Sequence, residues 1–296
     1  MKITKLAAID VGSNAIRLLI NTIYDDGAQR TFNKTSLVRA PVRLGYDAFV
    51  SEYISEENQT RLIKSMKAFK LLMDVYQVQD YSAFATSAMR EVRNGEEVVR
   101  KIKNLADIDL QLIDGETEGN IIFETELKSY VNDSKNYLYV DVGGGSTECT
   151  LLVQGEVKNS KSFAIGTVRW LHNKVSKDYL EKEVKPWIIK NCRKYENVEL
   201  IGSGGNINYI FKISGKKVGN PLSLSYISKQ LTNLKELSFE DRLRIYNMKT
   251  DRADVVIPAL EIYVNIMKYA QSKKIHVPKI GLSDGMIQYM YHHNDY

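Results

Sequence analysis

The chain has 296 residues, 44% hydrophobic and 26% charged. That balance excludes dominant disorder and suits one large or two medium domains. Two cysteines, Cys149 and Cys192, exclude a disulfide scaffold, the four histidines form no spaced cluster with them, and no run of about 18 apolar residues offers a membrane span. A net charge of +5, from 41 basic and 36 acidic residues, mildly favours an anionic partner and makes no demand for nucleic acid. Asp10 arrives too early for a signal-peptide core, so the chain is expected to be reduced, soluble and cytoplasmic, with no membrane partner.

Taken in chain order, residues 5–20 read KLAAIDVGSNAIRLLI: an apolar strand, Asp-Val-Gly, a small polar turn and a second apolar strand. Residues 30–43 make a third strand. Residues 55–76 carry Leu62, Met66, Phe69, Met73 and Tyr76 at helical spacing, with Glu56 and Glu57 in the first turn, where the helix dipole favours anions. A buried strand over 81–85, a helix from Gly95, a strand over 108–113 and a helix over 116–130 follow. The pattern then restarts. Residues 136–153 read NYLYVDVGGGSTECTLLV, again with Asp-Val-Gly between two apolar strands, and Asp141 lies 131 positions after Asp10. Residues 161–165 make a third strand. A helix over 177–195, with a break or kink at Pro186, leads to a strand from Val198 into the Gly-rich turn 202–205. The rest is mostly helical, with a short strand at 279–283 before a C-terminal helix.

Repetition at 131 residues indicates two copies of one α/β domain, each with a mixed sheet opened by a hairpin and flanked by helices. The boundary is expected within residues 127–134. The first domain is then 1–128, with the C-terminal helix 284–296 available to complete it, and the second is 129–296. Glycine turns expose backbone N–H groups to an anion. Neither turn is a Walker A, which would need Gly-Lys-Ser/Thr, and neither is a dinucleotide fingerprint, because a strand follows the glycines.

Five blocks, AIDVGSNAIRLLI, ATSAMREVRNG, DGETEGNIIF, VDVGGGSTE and RADVVIPAL, together resemble the exopolyphosphatase and guanosine pentaphosphate phosphohydrolase (Ppx/GppA) phosphatase family. The likeness runs along almost the whole chain. It implies two ribonuclease H-like domains of the actin, hexokinase and Hsp70 superfamily, with the active site in the interdomain cleft. It implies hydrolysis of the terminal phosphoanhydride of polyphosphate or guanosine pentaphosphate (pppGpp). Glu118 resembles the family's catalytic carboxylate, an orienter of water at a helix N-terminus. Ser13, Asn14, Arg17, Thr86, Ser87, Arg90, Gly143, Gly144, Gly145 and Ser146 are the expected phosphate-binding residues. Asp10, Asp141 and Glu148 would repel a phosphate without a cation beside them, so Mg²⁺ or another divalent ion is expected there. Cys149 reads as a buried strand residue with no redox role.

Thr117 stands where the family usually has a second acidic residue, and SDGMIQ at Ser283 lacks the Arg of a related family block. Longer members add a helical domain after the second, so a short, two-domain form is expected. The family often dimerises, which leaves room for a homodimer. Two alternatives remain open. One is an ATP-dependent kinase or ATPase of the same superfamily, with adenine beside residues 202–205. The other is a non-catalytic binder of (p)ppGpp or polyphosphate.

Overall fold

The computed structural model describes residues 1–122, 131–132 and 134–294. The chain divides into two compact units, Met1–Glu126 with Gly281–Tyr296, and Leu127–Ile280. The expected boundary at 127–134 and the end of the helix expected over 116–130 fall largely outside the described residues.

The first unit is built on a five-stranded sheet of order β3-β2-β1-β4-β5. β1 (Lys2–Val11), β2 (Ile16–Asp25) and β3 (Arg30–Ala40) are antiparallel, while β4 (Asp80–Ala85) and β5 (Gln111–Leu112) run parallel to β1. Leu6, Ala7, Ala8, Ile9 and Val11 of β1 are all fully buried. A strand apolar on both faces belongs in a sheet centre covered on each side. β3, an edge strand, is mostly exposed and carries Arg30, Lys34 and Arg39, which discourages edge-to-edge pairing. The helix Glu56–Tyr76 buries Leu62, Met66, Phe69 and Met73, and Ser55 caps it by accepting from the Asn58 N–H.

The C-terminal helix Leu282–His293 belongs to this first unit, packing on β1 and on the helix Gly115–Ile122. It is fastened at both ends. Asp284 accepts from the Gly281 N–H at 3.1 Å and is ion-paired with Lys34 at 2.6 Å. The Tyr291 hydroxyl donates to Asp25 Oδ2 at 2.8 Å.

The second unit holds a six-stranded sheet of order β10-β11-β9-β6-β7-β8. β6 (Asn136–Val142), β7 (Thr147–Val153) and β8 (Glu156–Phe163) repeat the antiparallel meander, and β9 (Glu199–Ser203) is parallel to β6. β11 (Lys274–His276) extends the parallel part and β10 (Leu222–Ser223) closes the edge. The helix Val256–Tyr269 is apolar almost all round and lies in the core. From it, the fully buried Tyr263 donates to the carbonyls of Val140 and Ser203, tying adjacent strands β6 and β9 together. Both units therefore show the ribonuclease H-like arrangement, two mixed sheets flanked by helices.

Several elements differ from the sequence expectation. The strand expected over 108–113 pairs only at Gln111–Leu112. No strand forms at 279–283; the strand lies earlier, at Lys274–His276, and Leu282 already begins the helix capped by Asp284. β8 starts at Glu156, well before residue 161, because a solvated edge strand carries no apolar alternation to mark it. The helix expected over 177–195 is a π-helical turn, Leu180–Val184, running into an α-helix, Lys185–Cys192. Pro186 sits in that helix's first turn, where a missing N–H costs nothing. Among the described residues no helix is long and apolar enough to cross a membrane.

Asp284→Ala removes both the cap and the Lys34 pair, and should lower stability by about 1–2 kcal/mol. Urea unfolding followed by circular dichroism checks this; an unchanged midpoint would show that neither the cap nor the Lys34 pair stabilises the fold.

Candidate active site

Both Asp-Val-Gly hairpins fold into the same turn. The Gly12 N–H donates to the Ala15 carbonyl at 3.2 Å, and the Gly143 N–H to the Ser146 carbonyl at 3.0 Å. The segment after each third strand then seals one side of the turn. In the first unit the Gly45 N–H takes the Ser13 carbonyl at 2.7 Å and the Arg43 N–H takes the Asn14 carbonyl at 3.2 Å. In the second, the Thr167 N–H takes the Gly143 carbonyl at 3.0 Å and the Val168 N–H takes the Gly144 carbonyl at 2.8 Å.

Among the described residues no peptide bond is cis, so the N–H of the following residue points opposite to each tied carbonyl. The N–H groups of Asn14 and Ala15 in one turn, and of Gly144 and Gly145 in the other, are thereby turned to the other side. A row of such donors is an anion-binding surface.

The two turns differ in charge. Four residues separate the strands of each hairpin, so the residue facing Asp10 is Arg17 and the residue facing Asp141 is Glu148. In the first unit Arg17 Nη1 lies 2.7 Å from Asp10 Oδ2, and the aspartate's charge is offset within the hairpin. That pair weighs against Asp10 as a cation ligand and gives Arg17 a partner other than phosphate. In the second unit two carboxylates face each other. Asp141 accepts from the hydroxyls of Ser203 at 3.0 Å and Tyr139 at 3.3 Å. Glu148 accepts from Ser162 at 2.9 Å. Burial, and then the charge of Asp141, push the Glu148 carboxyl up to about 7 against the hydroxyls of Ser146 and Ser162, which hold it down.

This oxygen donor set fits a hard divalent cation, which offsets the mutual repulsion of the two carboxylates. Among the described residues there is no group of three or more His, Cys, Asp or Glu side chains that would hold a metal. Two protein carboxylates with the remaining positions left to water or phosphate oxygens is a common arrangement for Mg²⁺. Cys149, the next residue, is fully buried, and burial raises its thiol well above the ordinary value, so it is no nucleophile.

The other expected site residues cluster at the ends of β4 and β5 in the first unit. Thr86 and Ser87 are buried, and Ser87 Oγ lies 3.3 Å from Ser13 Oγ, so the serine of the first turn and that of the β4 end share one place. Arg90 is exposed, with Nη1 donating to the Ile113 carbonyl at 2.6 Å. Glu118 is half-buried in the first turn of the helix Gly115–Ile122, and its N–H donates to the Asp114 carbonyl at 3.0 Å. Asp114 itself accepts from the Thr117 N–H at 2.7 Å, a bond that lowers its carboxyl below the usual range. It caps the helix on which Glu118 stands, a role the Asp-x-x-Thr spacing could have revealed.

The turn 202–205 packs beside the carboxylates. Gly204 has φ +111°, and a Cβ there would lie 3.0 Å from the Val142 carbonyl and 3.3 Å from Asp141 Oδ1, so only glycine suits it. Asp284 of SDGMIQ serves as the helix cap already described. Arg252 lies over the Tyr209 ring at 4.8 Å within the second unit.

Fold and turn geometry thus define a two-unit α/β protein whose units each carry a ribonuclease H-like sheet and a glycine turn with backbone N–H groups turned away from its tied carbonyls. The model of the Ppx/GppA phosphatase family matches residues 22–294, and the chain belongs to that family. It is 30% identical over 286 residues to the bifunctional 3-dehydroquinate synthase/phosphatase of Fusobacterium nucleatum subsp. nucleatum, covering 89% of this chain but 43% of that protein. The chain therefore spans less than half of that relative's length. It is 21% identical over 302 residues to exopolyphosphatase 1 of Mycobacterium tuberculosis, covering 96% of this chain and 87% of the other. Among solved structures, an exopolyphosphatase from Cytophaga hutchinsonii shares 25% identity with a TM-score of 0.86 over 97% of each chain. The Aquifex aeolicus Ppx/GppA family member, at 22% identity and TM-score 0.76 over 99% of this chain and 100% of that one, shares the fold.

Glu148 binds its proton more tightly folded than unfolded. Its contribution to stability is full below its ordinary value and is lost as pH rises through about 7. Without added divalent cation, the melting temperature should fall between about pH 5 and pH 8, and Glu148→Gln should flatten that fall. An equally deep fall in the variant assigns the effect to another group.

Proposed function

We propose that this chain is a phosphatase that hydrolyses the terminal phosphoanhydride of inorganic polyphosphate, with pppGpp, which ends in the same anhydride, as a second substrate. The observation that carries the reading is the second-unit turn. There, backbone donors aimed away from tied carbonyls stand beside two mutually repelling carboxylates. Membership of a phosphatase family supports it, as do relatives named phosphatase and exopolyphosphatase.

Each unit supplies its own part. In the second, the N–H groups of residues 144–146 grip phosphate oxygens. Asp141 and Glu148 hold a divalent cation, which when bound neutralises phosphate charge and so favours nucleophilic attack. In the first, Ser13, Asn14, Thr86, Ser87 and Arg90 are phosphate donors, and the Asp10–Arg17 pair stiffens the turn that carries two of them. Glu118 stands in the first turn of its helix, where the dipole favours a carboxylate, and it orients water. A loose phosphoryl transition state needs chiefly alignment.

Phosphate release from tripolyphosphate, long-chain polyphosphate and pppGpp, each with and without Mg²⁺, tests the assignment. Release from at least one of them, dependent on the cation, is the expected result, and no release from any removes it. Glu118→Ala should lower turnover by roughly 10²–10⁴-fold, the range of positioned acid–base groups, with substrate affinity little changed. Wild-type turnover in that variant takes Glu118 out of the chemistry.

A further inference from the structure

Three carbonyls line the sealed side of the triple-glycine turn, and backbone amides hold two of them. The third, of Gly145, is held by a side chain: Arg169 Nε donates to it at 2.7 Å. In the first unit the Gly45 and Arg43 N–H groups seal the turn. The side-chain tie in the second matters because of composition. A peptide turns over as a rigid plate through ψ of the residue before it and φ of the residue after, and Gly145, with no Cβ, resists the first of these rotations less than any other residue would. If the plate joining Gly145 to Ser146 turned over, it would present a carbonyl where a bound anion needs an N–H.

The strap that carries Arg169 lies unusually close to the turn. A Cβ on Gly166 would stand 2.4 Å from the carbonyl carbon and oxygen of Gly144 and 2.5 Å from the Gly145 nitrogen. Its φ of −144° is ordinary extended backbone, so the requirement for glycine is one of space. The Thr147 hydroxyl, donating to the Ile165 carbonyl at 2.6 Å, anchors the strap from the other side.

We propose that Arg169 is a positioning residue of the phosphate turn. Its guanidinium locks the Gly145–Ser146 peptide with the Ser146 N–H on the anion-facing side, and Gly166 lets the strap come near enough for it to do so. The nature of the anion rests on the phosphatase reading; the locking does not. Arg169 acts through the loop backbone.

The test uses the full chain and three variants, Arg169→Ala, Arg169→Lys and Gly166→Ala. Tripolyphosphate binding is measured by calorimetry, phosphate release by steady-state kinetics, and folding by melting temperature. Loss of one charge-assisted hydrogen bond from the turn should weaken tripolyphosphate binding about tenfold in Arg169→Ala. Turnover should fall further than affinity, because a flipped plate misaligns the phosphate. Millimolar methylguanidinium should restore part of both. Arg169→Lys should stay close to Arg169→Ala, because an ammonium lacks the planar fork that meets the carbonyl from this stem. Gly166→Ala should mimic the loss with no rescue.

Unchanged binding and turnover in folded Arg169→Ala would overturn the proposal. So would losses that methylguanidinium does not relieve while the melting temperature falls in step. If Arg169→Ala does not fold, Arg169→Lys decides by the same measurements, and wild-type behaviour there overturns the proposal. A wild-type chain that cleaves no phosphoanhydride sinks the enzyme reading; tripolyphosphate binding that still depends on Arg169 would uphold the locking.

Discussion

A trans peptide cannot point its N–H and its C=O the same way. Much of what this chain presents to an anion follows from that restriction. The segments after the third strands, residues 43–45 and 167–169, take up turn carbonyls on one side, and the opposing N–H groups are delivered to the other. Small residues at 12–15 and 143–146 keep side chains out of the way. The surrounding sheets exist, in functional terms, to hold each turn between a hairpin and a strap. β1 and β6 do this as central strands apolar on both faces, and Tyr263 pins β6 to β9 at the level of the second turn.

The duplicated hairpins are alike in backbone and opposite in electrostatics. One charged residue, at the position across the hairpin from the aspartate, makes the difference. Arg17 pairs with Asp10, so the first turn carries no uncompensated aspartate. Glu148 confronts Asp141, so the second turn carries a charge surplus that burial sharpens. The proposed divalent cation would offset that surplus.

Much of this was legible in the residues. The repeated Asp-Val-Gly and the apolar strands around it indicated two similar α/β domains, and the helix Glu56–Tyr76 was plain from its spacing. Even the facing pairs were readable, since a four-residue turn places position 17 opposite 10 and 148 opposite 141. That step shows Arg17 engaged with Asp10. Other parts gave no signal. β8 is exposed from Glu156 to Ser162 and carries little apolar alternation before Phe163 enters the core. Residues 279–283 look like a strand by composition but run into a helix that begins at Leu282 and is capped by Asp284. Gly166 and Arg169 escaped notice because their work is done on backbone atoms of a distant turn, and contacts to backbone leave no residue pattern.

The claim that these two turns grip phosphate through their amides is open to direct observation. Tripolyphosphate titrated into the ¹⁵N-labelled chain with Mg²⁺ should shift the amide resonances of Asn14, Ala15, Gly144, Gly145 and Ser146 more than any others, with the changes saturating together. Saturable shifts confined to other amides, with these five unmoved, would contradict the account.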